Sequence, residues 1–312
     1  MTRVEKPTLA VPDVEAFLAE RHGGTVSDVE ALEGGFWSSA FAYRFADRQL
    51  VARFGSIRSG YDADLAAMAY GGPDLPVPEV LEVGDAFGAS YAISVRHHGR
   101  FLEDVREDEA DTAGPAIVRL LGALKGVPPA PAESWHQRLR NGLVDDEATV
   151  NGGWREALRA HPEAERVFLA CESRIGALLD ACPERRDLIH NDLVHRNVLI
   201  AEDASRVNAV FSWKCAGRGD FLYDVAWCTF WGGSFHPGIA VADVFGRVVR
   251  APWAAAHLDD AAVRHHCYEL HVGATHLGWN AWIGDDDSLA VVARHTAAIL
   301  EREPVRLPRP SG

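Results

Sequence analysis

One polar stretch between two apolar runs constrains the fold of this chain more than any other feature of its sequence. Residues 188–200 read LIHNDLVHRNVLI, so an apolar run leads into a polar loop and a second apolar run leads out of it. Short apolar runs of this kind predict two buried strands. The loop carries His190, Asp192 and Asn197 in the spacing His-x-Asp-x4-Asn, held between the two predicted strands.

This spacing matches the catalytic loop of kinase-like phosphotransferases. In such a loop the aspartate takes the proton of the acceptor hydroxyl, and the side-chain oxygen of the asparagine binds magnesium. The motif therefore predicts phosphoryl transfer, with Asp192 as the catalytic base and Asn197 as a magnesium ligand.

Length, composition and charge limit the other classes of protein to which this chain could belong. The chain has 312 residues, of which 47% are apolar, so it can bury a large core and is expected to form two lobes. Its formal net charge of -14 argues against nucleic-acid binding, which needs clustered Lys and Arg. An acidic surface suits a small cationic substrate.

Cysteine usage and hydropathy predict a cytoplasmic protein. The five cysteines are scattered and form no CxxC pair, which fits a reducing compartment better than a disulfide framework. The N-terminus carries no apolar signal segment, and no apolar run approaches membrane-spanning length. We therefore expect neither a nucleic-acid nor a membrane partner.

The first part of the chain contains candidate nucleotide contacts. Residues 12–21 predict a helix that ends at a Gly-Gly pair, and residues 26–54 predict strands. Between two of these strands, residues 33–39 (EGGFWSS) include Gly35 and Ser38, whose backbone N–H groups are candidates to bind phosphate oxygens. The alternative is an ordinary hairpin turn. The loop lacks the lysine of a Walker motif.

Arg53 is the candidate phosphate-binding side chain. It lies on a predicted strand, residues 50–54, at the place of the strand lysine that grips nucleotide phosphates in kinases. Asp64 in the helical stretch 61–70 is its predicted ion-pair partner, with Asp62 as the rival. The alternatives are a surface arginine and a solvated helix face.

The strand at residues 91–95 is expected to end at a hinge. Backbone groups from Ser94 to Arg96 are the predicted adenine contacts, which gives an N-terminal lobe of residues 1–95 and a C-terminal lobe of residues 96–312. The C-terminal lobe is predicted to be mainly helical. Asp220 or Asp224 is expected to cap the helix that follows them and to orient the catalytic loop.

The order of these features resembles the aminoglycoside phosphotransferase family over most of the chain. The stretches that carry the resemblance are Glu33-Gly34, residues 39–41, 51–53, 75–81, 93–94, Cys182-Pro183-Glu184, His190-Asn191-Asp192, residues 197–199, Gly219-Asp220, Tyr223 and Phe230-Trp231.

This resemblance implies an α+β, bilobal protein-kinase-like fold, with an N-terminal antiparallel sheet lobe and a mainly helical C-terminal lobe. It also implies ATP and Mg2+ as cofactors, and transfer of the γ-phosphoryl group to a hydroxyl of a hygromycin-like aminocyclitol or aminoglycoside antibiotic. Asp192, Trp231 and Asp220 would then contact the acceptor, and Arg53 would contact the phosphates.

The chain departs from the family at one position. Ser212 stands where the family carries the aspartate that is its main magnesium ligand, and Lys214 stands where an acid is expected. Magnesium prefers charged oxygen ligands. Three interpretations remain open: a phosphotransferase that compensates for the change, a silent homologue that still binds nucleotide or ligand, and an active parent in which position 212 was altered.

The acceptor is a further open point, because a kinase-like enzyme for another metabolite or a peptide has the same catalytic loop. Acidic residues on the acceptor side would favour a polyamine antibiotic, and an apolar groove would favour another acceptor. The acidic candidates are residues 285–287 and Glu103-Asp104; the apolar candidates are Trp227, Trp231 and Trp279.

Overall fold

The computed structural model describes residues 6–33, 35–145 and 152–304. The chain divides into two compact units, Met1–Glu103 with Asp192–Cys215, and Asp104–Asn191 with Ala216–Gly312. The first unit is therefore discontinuous in sequence, whereas the predicted boundary at residue 95 was a single cut. The segment that carries Asp192, Asn197 and Ser212 groups with the N-terminal residues.

Strands and helices alternate unevenly along the described chain. The strands are β1 Ser27–Leu32, β2 Ser38–Phe45, β3 Arg48–Gly55, β4 Val80–Ala86, β5 Ala89–Val95, β6 Arg100–Phe101, β7 Asp187–Ile189, β8 Val198–Ile200, β9 Val207–Val210 and β10 Gly217–Gly219. The helices are α1 Val11–His22, α2 Arg58–Ala67, α3 Ala110–Gly126, α4 Trp135–Gly142, α5 Trp154–Arg159, α6 Pro162–Leu178, α7 Leu222–Phe235, α8 Pro237–Val241, α9 Val244–Val249, α10 Ala261–Ile283 and α11 Asp286–Leu300.

The first unit is built on a five-stranded antiparallel sheet. Its strand order is β1-β2-β3-β5-β4, so β3, which carries Arg53, is the central strand. Arg53 lies opposite Ala40 of β2 and Ala92 of β5. A second, three-stranded sheet of the same unit has the order β6-β8-β9, and it holds the strand that follows the catalytic loop.

The core of the first unit forms where α1 covers one face of the sheet. Val14 and Leu18 of α1 pack with Phe41, Tyr43 and other buried side chains of the central strands. The helix ends as predicted at Gly23, whose φ of 63° is in the left-handed region that glycine adopts without a steric penalty.

The second unit is mainly helical and is organised around α10. Its buried side chains lie on every face, because α5, α6, α7 and α11 all pack against it. A helix surrounded in this way is expected to lack an amphipathic pattern. Among the described helices, none combines the length and the apolar composition needed to cross a bilayer.

Candidate active site

The loop between β7 and β8 holds Asp192 in a defined setting. The side-chain amide of Asn197 donates hydrogen bonds to the backbone oxygens of Asp192, at 2.8 Å, and Val194, at 3.3 Å. The Asp192 carboxylate lies 2.8 Å from Nδ1 of His195 and remains half-buried. His195 and Arg196 have φ of 72° and 63°, a conformation that non-glycine residues adopt at a cost and that clusters at functional sites.

Asp224 of α7 fixes the residues that precede Asp192. Its two carboxylate oxygens accept the backbone N–H groups of His190 and Asn191, each at 2.8 Å. Asp224 is only 1% exposed, so these are buried, charge-assisted hydrogen bonds. Of the two aspartates that the sequence offered for orienting the catalytic loop, the structure assigns this role to Asp224.

Asp220 lies at the start of α7, as predicted, but its carboxylate is engaged within the second unit and not with the catalytic loop. It is fully buried, and its carboxylate forms a bidentate salt bridge with Arg264, in which the Nε and Nη2 contacts are both 2.8 Å. It also accepts hydrogen bonds from the Tyr268 hydroxyl and from the backbone N–H of Leu222 at the start of α7. Its oxygens are thus used inside the second unit, and the prediction that Asp220 contacts the acceptor does not agree with this geometry.

Arg53 pairs with Asp64, which resolves the alternative left open by the sequence. Nη2 of Arg53 donates to Oδ2 of Asp64, while the rival Asp62 pairs with Arg58 at 3.3 Å. Burial acts to lower the pKa of Arg53, but the adjacent Asp64 carboxylate outweighs it, and the net shift is upward. Arg53 is therefore a partly buried, permanent cation on the central strand.

Asp64 has a second partner that the sequence did not indicate. Its Oδ1 accepts the backbone N–H of Trp213 at 2.7 Å, and Asp64 is only 3% exposed. Strand β3, helix α2 and the segment after β9 are thereby tied to one carboxylate. Residue 212 is held next to this bond, in a left-handed conformation with φ of 68°.

The donors at the predicted magnesium site are Asn197 and Ser212. Asn197 has used its side-chain nitrogen within the loop, which leaves one neutral amide oxygen, and residue 212 supplies only a neutral hydroxyl. Within the described ranges, no group of three or more His, Cys, Asp or Glu side chains is placed to hold a metal. Because Mg2+ prefers carboxylate and phosphate oxygens, this donor set does not fit the ion.

Lys214 adds positive charge beside residue 212. Its aliphatic part lies next to Gly60 of α2, where a Cβ would be 3.7 Å from the Lys214 Cβ. Its exposed ammonium lies 5.2 Å from the ring centroid of Trp37, in the loop before β2. This loop also holds Gly35, which is exposed, and it leads into Ser38, the half-buried first residue of β2. Gly34, which the sequence pattern also included, lies outside the described residues.

Two backbone N–H groups of the predicted hinge already form hydrogen bonds within the first unit. The backbone N–H of Val95 donates to Glu79 and that of Arg96 donates to Gln49, each at 2.9 Å, and the Arg96 side chain pairs with Glu30. Ser94 is 7% exposed within β5. Between Ser94 and Arg96, the N–H groups of the last two residues are therefore not available to an adenine ring.

Trp231 lies in α7 and is 7% exposed. Its ring meets His276 edge to face, with centroids 4.8 Å apart, and Trp227 contacts the same imidazole at 5.2 Å. The proposed contact between Trp231 and the acceptor stays a prediction.

Glu103 was predicted only as one of the acidic candidates on the acceptor side. Its carboxylate accepts the backbone N–H of Arg196 in the catalytic loop, and burial raises its pKa. No local pattern indicates this contact, because the two residues are far apart in sequence and meet only through the β6-β8 pairing.

With this geometry described, comparison with known proteins defines the class. A family model described as "Phosphotransferase enzyme family" (APH) matches residues 28–263. The match covers more than half of the chain, which therefore belongs to this family.

A particular relative can be named within it. The chain is 28% identical over 243 residues to hygromycin-B 4-O-kinase of Escherichia coli, and the alignment covers 73% of this chain and 69% of that protein. This agrees with the hygromycin-like acceptor that the family resemblance of the sequence motifs implied.

Solved structures extend the similarity over nearly the whole chain. A thermostable mutant of aminoglycoside phosphotransferase APH(4)-Ia, in ternary complex with AMP-PNP and hygromycin B, matches with a TM-score of 0.72 and 25% identity, over 92% of this chain and 98% of that one. Spectinomycin phosphotransferase APH(9)-Ia, in complex with ADP and spectinomycin, matches with a TM-score of 0.58 at 10% identity, over 95% and 98%. The fold is thus the kinase-like α+β fold that the sequence predicted.

Proposed function

We propose that this protein is an ATP-dependent O-phosphotransferase that phosphorylates a hydroxyl of a hygromycin-like aminocyclitol antibiotic and thereby confers resistance to it. The observation that carries the proposal is the half-buried Asp192 carboxylate in a loop held by Asn197, with Asp224 binding the two residues before it. The similarity to hygromycin-B 4-O-kinase supports the choice of acceptor.

In the proposed reaction, Asp192 takes the proton of the acceptor hydroxyl while the hydroxyl oxygen bonds to the γ-phosphorus. The bond from the γ-phosphorus to the bridging oxygen breaks, and ADP leaves. His195, 2.8 Å from the Asp192 carboxylate, keeps that carboxylate in one orientation. Arg53, held by Asp64, supplies positive charge for the phosphate oxygens.

In the proposed ATP site, cationic side chains of the protein compensate the negative charge of the phosphates. Magnesium was predicted from the sequence, and when bound it would neutralise charge on the phosphates. The neutral side chains of Asn197 and Ser212 do not favour its binding. The net charge of -14 supports a cationic acceptor, and a cytoplasmic location is proposed because ATP is supplied there.

A second candidate is a homologue that binds nucleotide or ligand without efficient transfer. Ser212 favours it, because losing a carboxylate ligand removes transition-state stabilisation from phosphoryl transfer. The same catalytic loop would also serve a kinase for another metabolite or peptide.

The test is incubation with ATP and hygromycin B, followed by mass spectrometry of the antibiotic. We expect the wild-type protein to add one phosphoryl group and Asp192→Asn to be slower by about 10² to 10⁴-fold. Asp203→Asn, a change at an exposed aspartate in the same unit, should retain full activity. Nucleotide binding without transfer by the wild-type protein, with transfer restored in Ser212→Asp, would instead support the second candidate.

A further inference from the structure

The segment after β9 lies near the glycine-containing loop and carries a cation. Binding of magnesium would require a carboxylate in this segment. Lys214 belongs to this segment, and its ammonium reaches Trp37 of that loop, 5.2 Å from the ring centroid. Lys214 and Trp37 lie in the same compact unit. The ammonium is exposed, and within the described residues it makes no ion pair that would occupy it.

The surroundings of Lys214 fix its position on two sides. Its aliphatic part lies beside Gly60 of α2, and the backbone of its neighbour Trp213 is bonded to Asp64. Because Asp64 also holds Arg53, the backbone next to Lys214 and the Arg53 guanidinium are tied to one carboxylate. The unit therefore presents two cations near the loop that is expected to receive phosphates.

The charges of this set differ from those of a metal site. Arg53 and Lys214 are cations, Asn197 and Ser212 are neutral donors, and the carboxylate of Asp64 is already shared between Arg53 and Trp213. A divalent cation placed here would find neutral ligands and a repelling ammonium. A triphosphate would instead find two positive side chains.

From this arrangement we infer that the protein binds the triphosphate of ATP without a divalent cation, and that the Lys214 ammonium contacts the phosphate oxygens in place of the metal. The inference rests on the proposed function insofar as that function places ATP in the first unit. It makes Lys214 a nucleotide-binding residue, and it predicts that magnesium does not strengthen nucleotide binding.

The experiment measures ATP binding to the full chain by isothermal titration calorimetry, once in EDTA and once with excess magnesium chloride. We expect the dissociation constant of the wild-type protein to be no lower with magnesium than in EDTA, because the donors at residues 197 and 212 are neutral and the adjacent ammonium repels the ion. In EDTA, Lys214→Met should weaken ATP binding about tenfold, the effect of losing one charge-assisted phosphate contact. Lys214→Arg should bind nearly as well as the wild type.

Two controls separate a phosphate contact from a structural role. Arg206→Ala removes another exposed cation of the same unit and should leave ATP binding unchanged. AMP, which lacks the β- and γ-phosphates, should bind Lys214→Met and the wild-type protein equally. Equal weakening for ATP and AMP would overturn the assignment of Lys214.

The remaining outcomes distinguish this inference from the proposed function. Wild-type binding of ATP that is lost in EDTA and returns with magnesium overturns the inference alone. Failure to bind ATP in either condition overturns both. Ser212→Asp should gain a magnesium dependence, and ATP affinity in this variant should rise about tenfold when the ion is added, since one charged ligand has been supplied.

Discussion

The Asp64 carboxylate accepts a hydrogen bond from the backbone N–H of Trp213, with 2.7 Å between oxygen and nitrogen. The same carboxylate binds Arg53 through its other oxygen. One buried aspartate on α2 therefore sets the position of the candidate phosphate-binding side chain and of the segment that carries Ser212 and Lys214.

Substitution of Asp64 should destabilise the protein strongly. In Asp64→Ala, the partly buried Arg53 loses its counter-charge and the Trp213 N–H loses its acceptor. We expect the free energy of unfolding to fall by about 3–5 kcal/mol, as for other buried ion pairs with one partner removed. Urea denaturation followed by circular dichroism measures this change.

Asp62→Ala provides the matched control for Asp64→Ala. Asp62 lies on the same helix, pairs with Arg58 at 3.3 Å and has a side chain that is 55% exposed. An exposed i,i+4 pair contributes about 0.5 kcal/mol or less, so this variant should unfold like the wild type. A similar loss in both variants would mean that helix α2, and not the ion pair, is responsible.

Asp224→Asn tests whether the buried carboxylate of α7 positions the catalytic loop. The amide keeps one acceptor oxygen, so one of the N–H groups of His190 and Asn191 loses its charged partner. We expect a stability loss of about 1–3 kcal/mol. We also expect a lower kcat with little change in the KM for ATP, measured by a coupled ADP-release assay. A change confined to KM would contradict a positioning role.

The Arg264–Asp220 pair should matter for folding and not directly for catalysis. Both side chains are 1% exposed or less. Arg264→Met removes the bidentate partner of the buried Asp220 carboxylate and leaves only Arg185, 3.9 Å away, as a nearby cation. We expect a loss of about 3–5 kcal/mol in unfolding free energy. The double variant with Asp220→Leu should recover much of this loss, because no unpaired charge then remains. Thermal unfolding of the single and double variants gives the comparison.

Stability should fall in mild acid because of His271. Burial lowers its pKa from 6.5 to about 4, against a smaller opposing effect of its hydrogen bond to the Leu139 carbonyl. The unfolded chain therefore binds a proton at this residue between pH 6.5 and pH 4, while the folded protein does not, so stability decreases as the pH falls through this window. At about 1.4 kcal/mol per pKa unit, the contribution at pH 4 is roughly 3 kcal/mol.

Chemical denaturation at a series of pH values checks this expectation. His271→Gln should reduce the dependence between pH 6.5 and pH 4, since glutamine can bond Tyr223 and Leu139 without taking a proton. Part of the dependence should remain, because burial also lowers the pKa of His265, His266 and His295. His98→Gln, at an exposed histidine, should leave the dependence unchanged. A wild-type slope that is undiminished in His271→Gln would assign the dependence to other groups.

Local patterns predicted several elements correctly. Helix α1 with its glycine end, the strands from residue 27 to 55, and the loop between β7 and β8 all follow from residues close together in sequence. The predicted domain boundary, in contrast, was a single cut, whereas residues 192–215 belong to the first unit, which they join in part through the pairing of β8 with β6. Such pairing joins residues about a hundred positions apart, and no local periodicity records it.

The candidate site divides in the same way. The sequence by itself determined which groups are available: Asp192 and Asn197 at catalytic-loop spacing, Arg53 on a strand, and a hydroxyl in place of a carboxylate at residue 212. Only the tertiary structure decided how they are used. It paired Arg53 with Asp64 and not with Asp62, and it bonded Asp64 to a backbone group 149 residues away.

The tertiary structure also separated the two aspartates that precede and begin α7. Asp224 bonds to the backbone of the catalytic loop, whereas Asp220 pairs with Arg264, 44 residues further along the chain. The physical reason is that residue type sets charge and hydrogen-bonding capacity, which can be read locally. Which partner satisfies a buried carboxylate depends on what the folded chain brings within about 3 Å, and burial then makes that choice costly to change.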